Sequence, residues 1–190
     1  MAEPNTPAGR RAVFLDRDGT IIEDVDFLRD ESEIRLLPGA VEGIRLLREA
    51  GFLVIVATNQ SGVARGYLTE KKLRAVHTTL LEELARQSAR LDAIYYCPHH
   101  PEGSVREYAI ECDCRKPAPG LLLRAARQWN VNLAASFVVG DSERDVLAGK
   151  RAGCRTVLIS AARPAKTAAD DAAPDFLEAA RLIVARRENP

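Results

Sequence analysis

Hydrophobic positions along the chain follow two different periods. Short unbroken apolar runs fall at Ala12–Leu15 ("AVFL"), Phe52–Thr58 ("FLVIVAT"), Ala93–Tyr96 ("AIYY"), Ser136–Gly140 ("SFVVG") and Arg155–Ser160 ("RTVLIS"). Runs with no polar face predict strands buried on both sides, the habit of a parallel sheet. Between them the spacing is helical. Val41, Ile44, Leu46 and Leu47 form one stripe stopped by Gly51, and Leu73, Val76, Leu80, Leu81 and Leu84 form another that Thr69 can cap. Further helices are expected over Pro119–Trp129, around Glu143–Arg151 and near Asp175–Ala185. Met1–Arg10 is expected to be disordered, and the alanine-rich Ala161–Pro174 to be a mobile connection. Strand and helix alternate throughout, so the expectation is an α/β fold, a doubly wound parallel sheet with helices on both faces. A chain of 190 residues fits a single domain over 1–190.

Composition narrows the partners. Lys plus Arg and Asp plus Glu are 27 each, so the formal charge is zero and no basic footprint for nucleic acid or anionic membrane is present. The longest small-or-apolar run, Ala50–Ala57, is far below the roughly 18 residues that suggest a spanning helix. "MAEPNTPAGRR", residues 1–11, holds no apolar run and is not expected to be a signal peptide. A cytoplasmic monomer acting on a small molecule is expected, without nucleic acid or membrane. In that compartment the four cysteines point to metal or chemistry rather than disulfides.

Ligands of a doubly wound sheet bind outside the carboxyl ends of its strands. The polar residues at those ends form a consistent set: Asp16 and Asp18 after the first run, Thr58, Asn59, Gln60 and Ser61 after the second, Asp141 and then Asp145 after the fourth, and Lys116 before Pro117. Each alone has a plain reading. Asp18-Gly19 is a turn signal, Asp141 a helix cap, Lys116 a solvated charge. Gathered at one edge, the carboxylates would repel, each like-charged pair by about 4 kcal/mol at 4 Å and an effective dielectric near 20. Such a cluster needs a cation, and hard oxygen donors beside a phosphate suit Mg²⁺. Lys116 and the Thr58 hydroxyl complete a phosphoryl-transfer set in which a carboxylate can be the nucleophile.

"DRDGT" at Asp16–Thr20, "TNQSG" at Thr58–Gly62, Lys116 and "GDSERD" at Gly140–Asp145 resemble, in order, the four motifs of the haloacid-dehalogenase superfamily of phosphatases. The resemblance implies that Asp16 attacks phosphorus to form an aspartyl-phosphate and that Asp18 acts first as acid and then as base. It implies that Asp16, Asp141 and the backbone carbonyl of Asp18 hold Mg²⁺, and that Thr58 and Lys116 stabilise the transferring group. Asp145 is expected to orient Asp141 or Lys116 rather than bind metal.

The segment Cys97–Cys114 fits neither element type. Cys97, His99, Cys112 and Cys114 supply three thiolates and an imidazole, a tetrahedral Zn²⁺ set with no open position and hence a structural one. His100 is a rival ligand, and Cys154 reads as a small core residue. A zinc-stapled loop with "CPHHPEG" and "CDCRKP" resembles two families within the superfamily, the heptose-1,7-bisphosphate 7-phosphatases and the histidinol-phosphate phosphatases. The loop length favours the former, which act on a sugar bisphosphate in making lipopolysaccharide core precursors. With no cap-sized insertion, the loop is expected to stand in for a cap. The resemblance carries over Asp24, Val25, Asp26, Phe27, Asn59, Gln60, Ser61 and Arg115 as substrate contacts, with Arg115 able to clamp a second phosphate. Glu102, Glu107 and Glu111 in the loop leave open a substrate bearing an ammonium group instead. Ser142 stands where some relatives carry lysine.

Two other readings use the same residues. A receiver-type phospho-accepting module shares the sheet, the aspartate, the threonine and the lysine, but Asp18 would hasten loss of its acyl phosphate. A nucleic-acid end phosphatase would want a basic or aromatic stripe that the sequence lacks.

Overall fold

The structure is a computed structural model that describes residues 9–161 and 166–188. One six-stranded parallel sheet organises it, in the order β3-β2-β1-β4-β5-β6. The strands are β1 (Ala12–Leu15), β2 (Leu53–Asn59), β3 (Ala93–Cys97), β4 (Phe137–Gly140), β5 (Arg155–Ile159) and β6 (Asp171–Ala173). The helices are α1 (Ala40–Glu49), α2 (Glu70–Arg86), α3 (Gly120–Trp129), α4 (Glu143–Ala152) and α5 (Phe176–Glu188).

The two-residue pleat sorts the apolar runs onto two faces. Val13, Leu15, Val54, Val56 and Val139 pack with Ile44, Leu47, Leu80, Leu84 and Ile183 of α1, α2 and α5. Ala12, Phe14, Leu53, Ile55 and Val138 pack with Leu121, Leu122, Ala125 and Ala148 of α3 and α4. Each fully buried Leu or Ile contributes about 1.5–3 kcal/mol relative to exposure, which explains why the centres of these runs are apolar. β1 pairs with β2 on one side and β4 on the other. The strand order therefore reverses at β1, and the crevice above the β1–β4 boundary is where a ligand binds in this architecture.

Two expectations need correction. Ala161–Pro174 is not simply a connection. Residues 162–165 lie outside the described residues, but Asp171–Ala173 adds β6 to the edge of the sheet through Leu158 and Ile159. A three-residue strand is too short to show a period, and "DAA" has little β preference. It is pinned by Asp170, whose Oδ2 accepts from the Thr156 amide at 2.8 Å and from its hydroxyl at 2.9 Å. At the other end, residues 1–8 lie outside the described residues. Arg10 is tied down, its amide donating to Asn130 O at 2.7 Å.

Candidate active site

Each strand delivers one part of the site. Asp16 follows β1 directly, its amide donating to Val139 O at 3.0 Å and so fixing it against β4. Asp141 follows β4, and Asp145 lies on the first turn of α4. Ligand oxygens of these three aspartates lie within 4.8 Å of one another. Lys116 bridges two of them, with Nζ 3.0 Å from Asp16 Oδ2 and 2.5 Å from Asp145 Oδ1. It also donates to Ala57 O at 2.8 Å. Burial works against the Lys116 charge, but the Asp16 and Asp145 carboxylates outweigh it and hold its pKa above the ordinary value. Asp141 opens onto the pocket, yet desolvation at the floor, followed by the Asp16 charge, pushes its carboxyl up. Asp145 is pushed up chiefly by burial. These strains are what a divalent cation relieves, and with Asp145 committed to Lys116 the hard oxygens of Asp16 and Asp141 fit Mg²⁺.

Lys116 is itself held in place. Asn59 Oδ1 accepts from its amide and Asn59 Nδ2 donates to its carbonyl, both at 3.0 Å, across a cis Lys116–Pro117 bond. Asn59 lines the pocket with its amide committed to that clamp. Asp145 Oδ2 accepts from the Ser142 amide at 3.2 Å, and Ser142 Oγ caps α4. Asp145 thus meets Lys116, as expected.

Gly19 makes the carboxylate cluster possible. It has φ +69°, and a Cβ there would lie 2.0 Å from Asp141 Oδ2. Gly19→Ala is therefore expected to displace Asp141 and to weaken magnesium activation by at least about tenfold, since one misplaced carboxylate ligand removes one of the few charges holding the ion. A Mg²⁺ titration of activity measures this.

The four zinc-loop residues also come together. Cys97 Sγ lies 3.5 Å from Cys112 Sγ and 3.8 Å from His99 Nδ1; Cys114 Sγ lies 3.2 Å from Cys112 Sγ and 3.4 Å from His99 Nδ1. A tetrahedral ion with Zn–S of about 2.3 Å has ligand–ligand edges of roughly 3.7 Å, so the donor set fits zinc in kind and size. A hydrogen bond from the Cys97 thiol, then those with Cys112 and the His99 ring, lower Cys114 to about 5 even against burial. His99, not His100, faces the sulfurs. Cys154 is buried in the same α3–α4 core but is not one of the residues whose ligand atoms come together. The loop packs on the turn after β2, with the Val105 amide donating to Ala64 O at 2.9 Å and Tyr108 reaching Glu70 of α2. Arg115 and Lys116 follow Cys114 without a spacer, so the knot sets where both begin.

A pocket of about 540 Å³ opens above these elements. Asp16, Asp18, Asp24, Asp26, Phe27, Asn59, Gln60, Ser61, Arg115, Lys116 and Asp141 line it. Thr58 lies beneath, buried, with Oγ1 accepting from Gln60 Nε2 at 3.0 Å. Val25 is 39% exposed and does not line the pocket. Among the residues that sequence reasoning did not single out for this pocket, four with polar side chains also wall it: Arg17, Arg65, His100 and Arg144. Arg65 Nη2 is 3.1 Å from His100 Nε2, and Arg65 Nε is buried with no hydrogen-bond partner among the described residues. Burial, with the neighbouring Arg144 and Arg65 charges, lowers Arg115. Among the described residues none of these three arginines pairs with a carboxylate. No signal in the sequence marks Arg65 or Arg144, since each faces the pocket only through the tertiary fold.

A parallel sheet that gathers carboxylates, a threonine and a buried lysine at its carboxyl edge defines a phosphohydrolase of the haloacid-dehalogenase class. A HAD-hydrolase-like family model matches residues 113–182. The D-glycero-β-D-manno-heptose-1,7-bisphosphate 7-phosphatase of Rhodopseudomonas palustris is 46% identical over 144 residues, 76% of this chain and 80% of the relative. That of Escherichia coli K12 is 42% identical over 163 residues, 85% of each. The crystal structure of D,D-heptose 1,7-bisphosphate phosphatase from B. bronchiseptica, complexed with magnesium and phosphate, superposes with a TM-score of 0.79 at 34% identity, covering 93% of this chain and 99% of that one. The chain belongs to the D-glycero-β-D-manno-heptose-1,7-bisphosphate 7-phosphatase family. Among the described residues no helix is long and apolar enough to cross a membrane.

Proposed function

We propose that this chain is a single-domain, cytoplasmic, Mg²⁺-dependent phosphatase that removes the C7 phosphate of D-glycero-β-D-manno-heptose 1,7-bisphosphate, supplying nucleotide-activated heptose synthesis. The observation that carries the reading is the divided charge of one pocket. Carboxylates bridged by Lys116 suit a metal and the reacting phosphate, while Arg65, Arg115 and Arg144, which meet no carboxylate among the described residues, suit a second phosphate. Histidinol phosphate would bring an ammonium toward those guanidinium groups. Glu102, Glu107 and Glu111, which left that substrate open, are exposed and outside the pocket lining.

In the proposed reaction an Asp16 oxygen attacks the C7 phosphorus, and the bond from phosphorus to the C7 oxygen breaks. Asp18 gives that oxygen a proton, and the free hydroxyl leaves. Asp18, now a carboxylate, takes a proton from water as the water oxygen attacks phosphorus. The bond from Asp16 to phosphorus breaks, and phosphate departs. Magnesium held by Asp16, Asp141 and the Asp18 carbonyl would neutralise charge on the phosphoryl oxygens. Lys116, oriented by Asp145 and Asn59, and Thr58 bind the same oxygens. Zinc held by Cys97, His99, Cys112 and Cys114 would be structural. The receiver-type alternative is disfavoured because Asp18 lines the same pocket as Asp16, where it can turn the acyl phosphate over.

Arg65→Ala separates the substrates. It is expected to raise KM for the heptose bisphosphate at least about tenfold, the equivalent of one charge-assisted hydrogen bond, and to leave KM for a sugar 7-phosphate without the C1 phosphate within about twofold. Steady-state phosphate release on both compounds, with histidinol phosphate alongside, is the measurement. Faster turnover of histidinol phosphate than of the heptose bisphosphate by the unaltered protein would contradict the assignment.

A further inference from the structure

Arg17 lies in sequence between the two aspartates of the site, yet it is 1% exposed. A guanidinium tolerates that only when its donors find acceptors. Nε donates to Asp18 Oδ1 at 3.1 Å, and Nη2 reaches both Asp18 oxygens at 2.9 and 3.0 Å and Gln60 Oε1 at 2.9 Å. Gln60 Nε2 closes the ring on Asp18 Oδ2 at 2.8 Å. The remaining group, Nη1, faces His77 Nε2 at 3.1 Å.

His77 sits on the buried face of α2 with Leu73, Val76 and Leu80. Burial, reinforced by the Arg17 charge, lowers its pKa to about 3. The ring is therefore neutral near pH 7, and with Arg17 donating to Nε2 its proton belongs on Nδ1. Deleting the acceptor would leave Nη1 buried and unsatisfied, and the guanidinium would be pulled toward a new partner. Its other edge carries Asp18.

We propose that His77 is a positioning residue for the proton-transfer step, anchoring Arg17 so that Arg17 and Gln60 hold the Asp18 carboxyl at the angle that serves the leaving oxygen. The inference rests on Asp18 acting as the acid, the role given to it above. His77 touches neither substrate nor reacting atoms, and its effect has a particular signature. A sugar hydroxyl leaves only with a proton, whereas p-nitrophenolate leaves without one. A misplaced acid therefore slows the first leaving step and spares the second, while general damage to the site slows both.

The test compares His77→Gln, whose amide oxygen can reach the position of Nε2, with His77→Asn, the same group one methylene shorter. The readout is kcat/KM, which reports the steps through release of the alcohol, on the heptose bisphosphate and on p-nitrophenyl phosphate. His77→Asn is expected to lower kcat/KM for the heptose bisphosphate at least about tenfold, within the 10²–10⁴-fold worth of general acid catalysis, and that for p-nitrophenyl phosphate by less than about threefold. His77→Gln is expected to restore most of the loss. Equal losses on both substrates, or no loss on either, would overturn the inference while leaving the phosphatase reading intact. Failure of the unaltered protein to hydrolyse either substrate in an Asp16-dependent way would sink that reading, and the inference with it.

Discussion

Asp16→Asn is expected to leave the fold in place and to reduce phosphate release by a factor on the order of 10⁴ or more, the scale of losing a covalent nucleophile. The amide keeps the shape of the side chain. It can still accept from the Arg17 amide, which now donates to Asp16 Oδ1 at 2.7 Å. What it loses is the anionic oxygen that bonds to phosphorus and one of the two carboxylates paired with Lys116. A carboxylate is ionised at neutral pH without help from a base, so no neighbouring group can restore the nucleophile. Thermal melting and substrate binding within a few-fold of the unaltered protein would assign the loss to chemistry.

Cys114→Ser is expected to have the largest effect on stability. Structural zinc contributes roughly 10–16 kcal/mol in peptide models, whereas a whole domain is stable by only about 5–15 kcal/mol. Losing the ion should therefore release the loop from Pro98 to Asp113 and with it Arg115 and Lys116, which are anchored at its end. Activity should fall together with zinc content, measured by elemental analysis against an expected value of about one ion per chain. A strong chelator added to the unaltered protein should reproduce both losses. Cys154→Ser is the contrast, because Cys154 lies in the core and not in the cluster. Full activity in Cys114→Ser without bound zinc would remove the structural role.

Much of this was legible because catalytic residues of a doubly wound sheet follow directly from strand ends. "FLDRDGT" and "FVVGDSERD" are strands that run into carboxylates, and the fold converts that local pattern into a cluster. The Cys and His cluster was equally plain, since two close pairs of candidate ligands bracket one loop. The rest depends on tertiary contact. Arg17 reads as a surface charge between two aspartates until the fold buries it under Gln60 and His77. His77 left one trace, a titratable residue on an otherwise apolar helical stripe. β6 was invisible because its three residues owe their place to Asp170 and Thr156 rather than to any period of their own. Val25 was carried over with its neighbours, but the turn through Asp26 and Phe27, at φ 48° and 71°, directs only part of that segment to the pocket.

The central claim is the ester bond between Asp16 and phosphorus. Rapid quenching during turnover, followed by borohydride reduction, converts an aspartyl-phosphate to homoserine, which peptide mass spectrometry locates. Homoserine at position 16 is the predicted result, formed only with substrate present and missing from Asp16→Asn. Reduction at another aspartate, or none during active turnover, would contradict the account.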